Sequence, residues 1–110
     1  MNSTTAVNRL AALAQESRLA AFRALVQKGP EGLCVGDLQA RLKIPMTTLS
    51  FHLKELTQAG LIKSRQDGRF IYYAPDFKAM NGLLAYLTAN CCAGGVQSAD
   101  CEAPASRKAC

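Results

Sequence analysis

Tryptophan is absent from this chain and aromatic residues make up only 6% of it, so a core must be built chiefly from Leu, Ala, Ile and Val. Histidine occurs once, at His52, which leaves it without a second imidazole for a metal site or for catalysis. No apolar run approaches the ~20 residues that a membrane-spanning helix requires. The opening residues, Met1 to Thr5, are polar and lack the pattern of a secretory signal. The expectation is a cytoplasmic protein with no membrane partner. Acidic residues are the scarcer charge, eight against thirteen Lys and Arg for a net +5, a balance that favours a polyanionic partner. There is no internal repeat, no interdomain linker and no Cys-x-x-Cys pair. A thiol-dependent reductase is therefore the weaker reading of the cysteines, and the chain reads as a non-enzyme.

What is present is pattern. At 110 residues and 49% apolar, the chain suits one domain with a core of its own. Val7, Leu10, Ala11 and Ala14 recur at helical spacing and predict a first helix over Thr5 to Ala14. A second is expected from Glu16 to Gln27, with Leu19, Phe22, Leu25 and Val26 on one face and Gly29-Pro30 as its stop. Val35, Leu38 and Leu42 predict a compact third helix. After Lys43-Ile44-Pro45 a fourth runs from Met46 to Ala59, with Leu49, Leu53 and Leu56 as its buried stripe and Gly60 as its cap. The period then changes. Leu61 to Arg65 and Arg69 to Ala74 read as short strands about Gln66-Asp67-Gly68, where Asp-Gly is a hairpin turn signal. A last helix over Asp76 to Asn90 carries Phe77, Met80, Leu84 and Leu87 on one side. The predicted class is mainly α with a β-hairpin wing, a winged helix-turn-helix. Residues 5–90 are expected to form this one DNA-binding domain, and 91–110 a flexible cysteine-containing tail without periodicity.

The fourth helix and the hairpin supply a DNA-reading surface. Thr47, Thr48, Ser50, Phe51 and Lys54 fall away from the leucine stripe. Short hydroxyls near a helix start reach base edges, a lysine neutralises a phosphate, and an exposed Phe meets a thymine methyl. His52 lies at the edge of this face, in a structural or phosphate-contact role. Arg65 and Arg69 flank the hairpin tip, where arginines meet phosphates or the minor groove. The expected partner is double-stranded operator DNA.

Leu49-Ser50-Phe51-His52-Leu53-Lys54-Glu55-Leu56 followed by Ala59-Gly60-Leu61-Ile62 resembles the Ser-x-His-Leu…Ala-Gly-Leu core of the ArsR/SmtB family of metal-responsive repressors. The wing from Arg65 to Tyr73 looks like that family's Gly-Arg-aromatic hairpin, and Leu13-Ala14 with Arg18-Leu19 resembles the segment that opens its second helix. The resemblance spans roughly residues 9 to 90. It implies a homodimer formed through the first and last helices that binds an imperfect palindrome, blocks transcription and loosens when metal binds. Arsenic-sensing relatives carry Cys-Val-Cys on the third helix, where this chain has Cys34-Val35-Gly36. Zinc-sensing relatives place Asp and His on the last helix, which here has no His. A subset of arsenical-resistance repressors instead has a Cys-Cys pair at the end of the last helix and a third Cys downstream, and this chain is similar to that subset.

The cysteines fit such a site. In a reducing compartment, five thiols point to metal or redox chemistry rather than disulfides. Adjacent cysteines such as Cys91-Cys92 rarely bridge each other, because the small ring strains the peptide, but together they chelate a soft ion. Cys101, reached through Gly94-Gly95, supplies a third thiolate, and three sulfurs satisfy pyramidal trivalent arsenic or antimony. Tetrahedral zinc or cadmium would want a fourth, which Cys110 could give. An organoarsenical or redox sensor on the same scaffold stays open.

Overall fold

The computed structural model describes residues 1–92. Five helices and three short strands follow one another as α1 (Ser3–Leu13), α2 (Glu16–Lys28), β1 (Leu33–Cys34), α3 (Val35–Leu42), α4 (Met46–Gln58), β2 (Ile62–Asp67), β3 (Phe70–Pro75) and α5 (Phe77–Leu87). Local chemistry sets the helix ends. The Asn2 side chain accepts from the Thr5 N–H at 2.8 Å, which starts α1 ahead of the expected Thr5. Gln15 caps α2 by accepting from Arg18 N–H at 2.8 Å, and Asp76 caps α5 through Ala79 N–H at 3.1 Å. At the end of α4, Leu61 N–H bonds to Leu56 C=O and Gly60 N–H to Thr57 C=O, with Gly60 at φ 78°. That is a Schellman closure, and it needs a residue tolerant of the left-handed region.

The core forms where the stripes meet. Leu25, Leu38, Leu49, Leu53, Leu56 and Leu61 are fully buried, with Ala21 and Phe22 of α2 packed among them. The leucine stripe of α4 is where its spacing puts it. Leu19, expected on the inner face of α2, is exposed instead. At about 100° per residue the buried arc centres on Ala21 and Leu25, and Arg18 turns inward beside them while Leu19 is carried outward.

The strands form one antiparallel sheet in the order β1-β3-β2. β1 has two residues, Leu33 opposite Tyr73 and Cys34 opposite Tyr72, too few for any periodicity. The hairpin closes one residue later than expected. Asp67 pairs with Phe70, so Gly68 and Arg69 form the two-residue turn. Gly68 takes the positive φ of 64° that the first turn position of a II′ hairpin demands. The last helix is shorter than expected, ending at Leu87 rather than Asn90. The Thr88 hydroxyl donates to Leu84 C=O at 2.9 Å, and Asn90 and Cys92 adopt positive φ of 59° and 63°.

Gly32 ties the sheet to α2. Its φ is 79°, and a Cβ there would overlap the backbone carbonyl of Tyr73. Gly32→Ala is expected to destabilise the fold by more than about 2 kcal/mol, from strain and clash combined. A thermal melt should show a fall in midpoint of roughly 10 °C.

Candidate nucleic-acid interface and thiol site

The turn between α3 and α4 aims the recognition surface. Lys43 caps α3 in the left-handed region at φ 56°, with its N–H on Gln39 C=O at 2.7 Å. The Gln39 side chain then crosses the turn and donates to Ile44 C=O at 3.2 Å. Pro45 starts α4 by offering its carbonyl to Leu49 N–H at 2.9 Å. No side chain caps this helix start, so its first-turn N–H groups stand open to a phosphate.

Thr47, Thr48, Ser50, Phe51 and Lys54 are all exposed, together on the outer side of α4. Phe51 leaves 54% of its surface uncovered, and Met46 at the helix start 40%. His52 departs from the expected set, because it is buried with only 7% exposure. Its position, three residues after Leu49 and four before Leu56, puts it inside the leucine stripe, a signal that was readable in the spacing. The ring turns to Arg18, whose Nη1 lies 3.5 Å from His52 Nδ1. A guanidinium can only donate, so Nδ1 accepts and the ring proton sits on Nε2. Burial chiefly, and then the Arg18 charge, hold the His52 pKa below its ordinary value, with Glu55 opposing. The ring stays neutral at pH 7 and props α4 from behind.

On the wing the two arginines differ. Arg65 is pinned. Its Nη2 donates to Glu31 C=O at 2.7 Å, its Nη1 lies 3.8 Å from Asp67 Oδ2, and its guanidinium sits 4.8 Å above the Tyr72 ring. Such contacts fix the wing's attitude against the loop before β1. Arg69, in the turn itself, is exposed, with Phe70 and Ile71 beside it also exposed. Arg69→Ala is expected to weaken binding to any duplex and to lower the salt slope by about one counterion unit. An affinity and slope equal to the parent's would put the wing away from DNA.

After α5 come Cys91, exposed, and Cys92, half-buried, with their Sγ atoms 3.6 Å apart. Cys34 stands apart in sequence and fold, half-buried in β1 at the N-cap of α3. Among the described residues no three His, Cys, Asp or Glu side chains gather as a metal cluster. Cys101, the expected third ligand, and Cys110 lie outside the described residues, as does the rest of the expected tail beyond Cys92.

Two helices joined by a tight turn, the second presenting hydroxyls and a lysine and backed by a basic hairpin, define a winged helix-turn-helix DNA-binding regulator. Comparison with known proteins agrees. A family model described as a helix-turn-helix domain matches residues 13–65. The arsenical resistance operon repressor of Bacillus subtilis is 38% identical over 74 residues, 67% of this chain and 69% of that protein. The uncharacterized HTH-type regulator YceK of the same organism is 44% identical over 61 residues, 56% of this chain and 60% of YceK. The structure of HlyU from Vibrio cholerae superposes with a TM-score of 0.64 at 36% identity, covering 78% of this chain and 94% of HlyU. The chain belongs to the ArsR/SmtB family of winged-helix transcriptional regulators, and is a DNA-binding regulator rather than an enzyme. No described helix is long and apolar enough to cross a membrane.

Proposed function

We propose that this chain is a repressor that binds a palindromic operator as a homodimer and lets go when trivalent arsenic or antimony is captured by Cys91, Cys92 and Cys101. The observation that carries the reading is the Cys91–Cys92 pair just beyond α5, with sulfurs 3.6 Å apart. That spacing lets both sulfurs close on one soft ion with little rearrangement. The B. subtilis relative named as an arsenical resistance operon repressor points the same way.

Dimerisation is supported by what one chain leaves uncovered. Val7 and Leu10 on α1 and Leu84 and Leu87 on α5 are between 41% and 60% exposed, and the two helices touch each other. A relative from Mycobacterium bovis, 25% identical, is described as a homodimeric winged helix-turn-helix domain. Ion capture immediately after α5 would repack that helix pair and change the separation of the two α4 helices. Effector and DNA then oppose each other reciprocally, typically by about 1–3 kcal/mol. A cadmium reading has its own support, since a relative named as a cadmium resistance regulator from Listeria innocua is 36% identical over 61 residues.

The test is a titration of the protein on a duplex selected from a random pool. Arsenite, antimonite, zinc and cadmium are added under reducing conditions, and peroxide in a separate arm without reductant. Release by arsenite or antimonite at concentrations that spare the complex from zinc is the expected result. Release by cadmium or zinc alone selects the four-sulfur site, release by peroxide alone selects a redox sensor, and no release by any of them removes the sensing role.

A further inference from the structure

Arg9 has no part in the DNA-reading surface or the thiol site, yet it makes the longest-range polar contacts of α1. From the middle of that helix its Nε donates to Ala59 C=O at 3.2 Å, and its Nη1 donates to Ala79 C=O at 3.3 Å. Ala59 is the C-cap of the recognition helix α4, and Ala79 lies in the first turn of α5. One guanidinium thus spans the end of the DNA-reading helix and the start of the helix that leads to Cys91. The end of a helix carries unsatisfied carbonyls and partial negative charge, so a cation there is favourably placed.

Gly60, next to the accepted carbonyl, closes α4 through its positive φ and lies against the arginine, a Cβ there falling 3.4 Å from Arg9 Nη2, an ordinary van der Waals distance. Beside the contact of α1 with α4 lies an open cleft of about 410 Å³, walled by Asn8, Ala11 and Ala12 of α1, Glu55 and Gln58 of α4, and Arg18. Arg18 provides the second link across it, donating from Nε to Ala12 C=O at 2.7 Å while reaching His52.

We infer that Arg9 is a positioning residue for the recognition helix: its bridge from α1 to Ala59 and Ala79 sets the pitch of α4 relative to α5, and operator discrimination depends on it. The cleft leaves unfilled space beside the last turns of α4, into which that end of the helix can shift once the bridge is broken. A tilt displaces base contacts while leaving phosphate contacts available.

Arg9→Lys separates geometry from charge. Lysine keeps the positive charge but is a single point donor on a flexible stem and cannot hold both carbonyls in a fork. Arg9→Met removes the charge as well. In both variants, operator affinity relative to random duplex should fall by roughly tenfold or more, the size of one good base contact. Affinity for random duplex should stay within about twofold for Arg9→Lys, whose charge is unchanged. A parental operator-to-random ratio in Arg9→Lys overturns the inference. Thermal melts come first. If both variants fail to fold, Arg9 is a keystone of the fold and the positioning role is overturned as well.

The same bridge lies between the thiol site and α4, and this extension rests on the proposed sensing role. Arg9→Lys should bind arsenite as the parent does but release DNA less completely. A parent protein that ignores every thiophilic ion would sink the sensing role, while the operator-to-random ratio would still decide the positioning role on its own.

Discussion

Serine in place of Cys91, Cys92 or Cys101 is expected to leave operator binding intact and to abolish release by arsenite or antimonite. Serine preserves size and polarity but offers no thiolate, so a three-sulfur site falls to two. Even groups that only orient a metal ligand are worth about 10–100-fold in affinity, so loss of a ligand itself should cost at least about 100-fold. Cys34→Ser should respond almost as the parent does. That cysteine sits in β1 opposite Tyr72, and the α3 position where a partner thiol would stand is Gly36. Cys110→Ser should also be mild. The measurement is the ion concentration that half-releases DNA, compared across the five variants. If Cys34→Ser silences the response and Cys101→Ser does not, the site belongs to α3. If Cys110→Ser is as damaging as Cys101→Ser, a fourth sulfur is engaged and cadmium or zinc becomes the better ligand.

The architecture was legible because its signals are periodic or local. Leu49, Leu53 and Leu56 fix the inner face of α4, the Gly29-Pro30 stop and the Ala59-Gly60 cap punctuate the helices, and Asp67-Gly68 marks the wing. What escaped had no period. Two residues cannot alternate, so β1 was silent, and the turn moved by one residue because a glycine can occupy either central position of a primed turn. Side-chain reach was also hidden. The roles of Arg9 and Arg18 leave no mark in the sequence, since nothing there tells that a long cationic stem will cross to a carbonyl 50 residues away. Arg65 and Arg69 look alike on paper, but only the fold shows one clamped to Glu31 and Tyr72 and the other in the turn. His52 is the instructive case. Chemistry left it at the edge of the DNA face with a structural or a phosphate-contact role, its spacing from Leu49 and Leu56 points inward, and the structural role prevails because Arg18 supplies a hydrogen-bond partner for the buried ring.

Leu84→Glu is expected to convert the protein into a monomer that folds and binds half-sites weakly. Leu84 is 54% exposed in the isolated chain, as is Leu87 one turn beyond it, so neither holds the core of a single subunit together. Covering a leucine against a partner is worth up to about 1.5–3 kcal/mol. A carboxylate in the same place must instead be stripped of water to enter an interface, and in a twofold dimer the charge would enter it twice. Two tethered reading heads gain over one through effective concentration, commonly by 10²–10⁴. Affinity for a full palindrome should therefore fall by roughly that factor while affinity for an isolated half-site changes little. Sedimentation of the variant would show the halved mass directly, and duplexes with one or two half-sites would show the lost advantage. A variant that still sediments as a dimer and still prefers the full palindrome would move the interface away from α5. A variant that is monomeric yet retains full affinity would mean that DNA itself, rather than the α1 and α5 face, holds the two subunits in register.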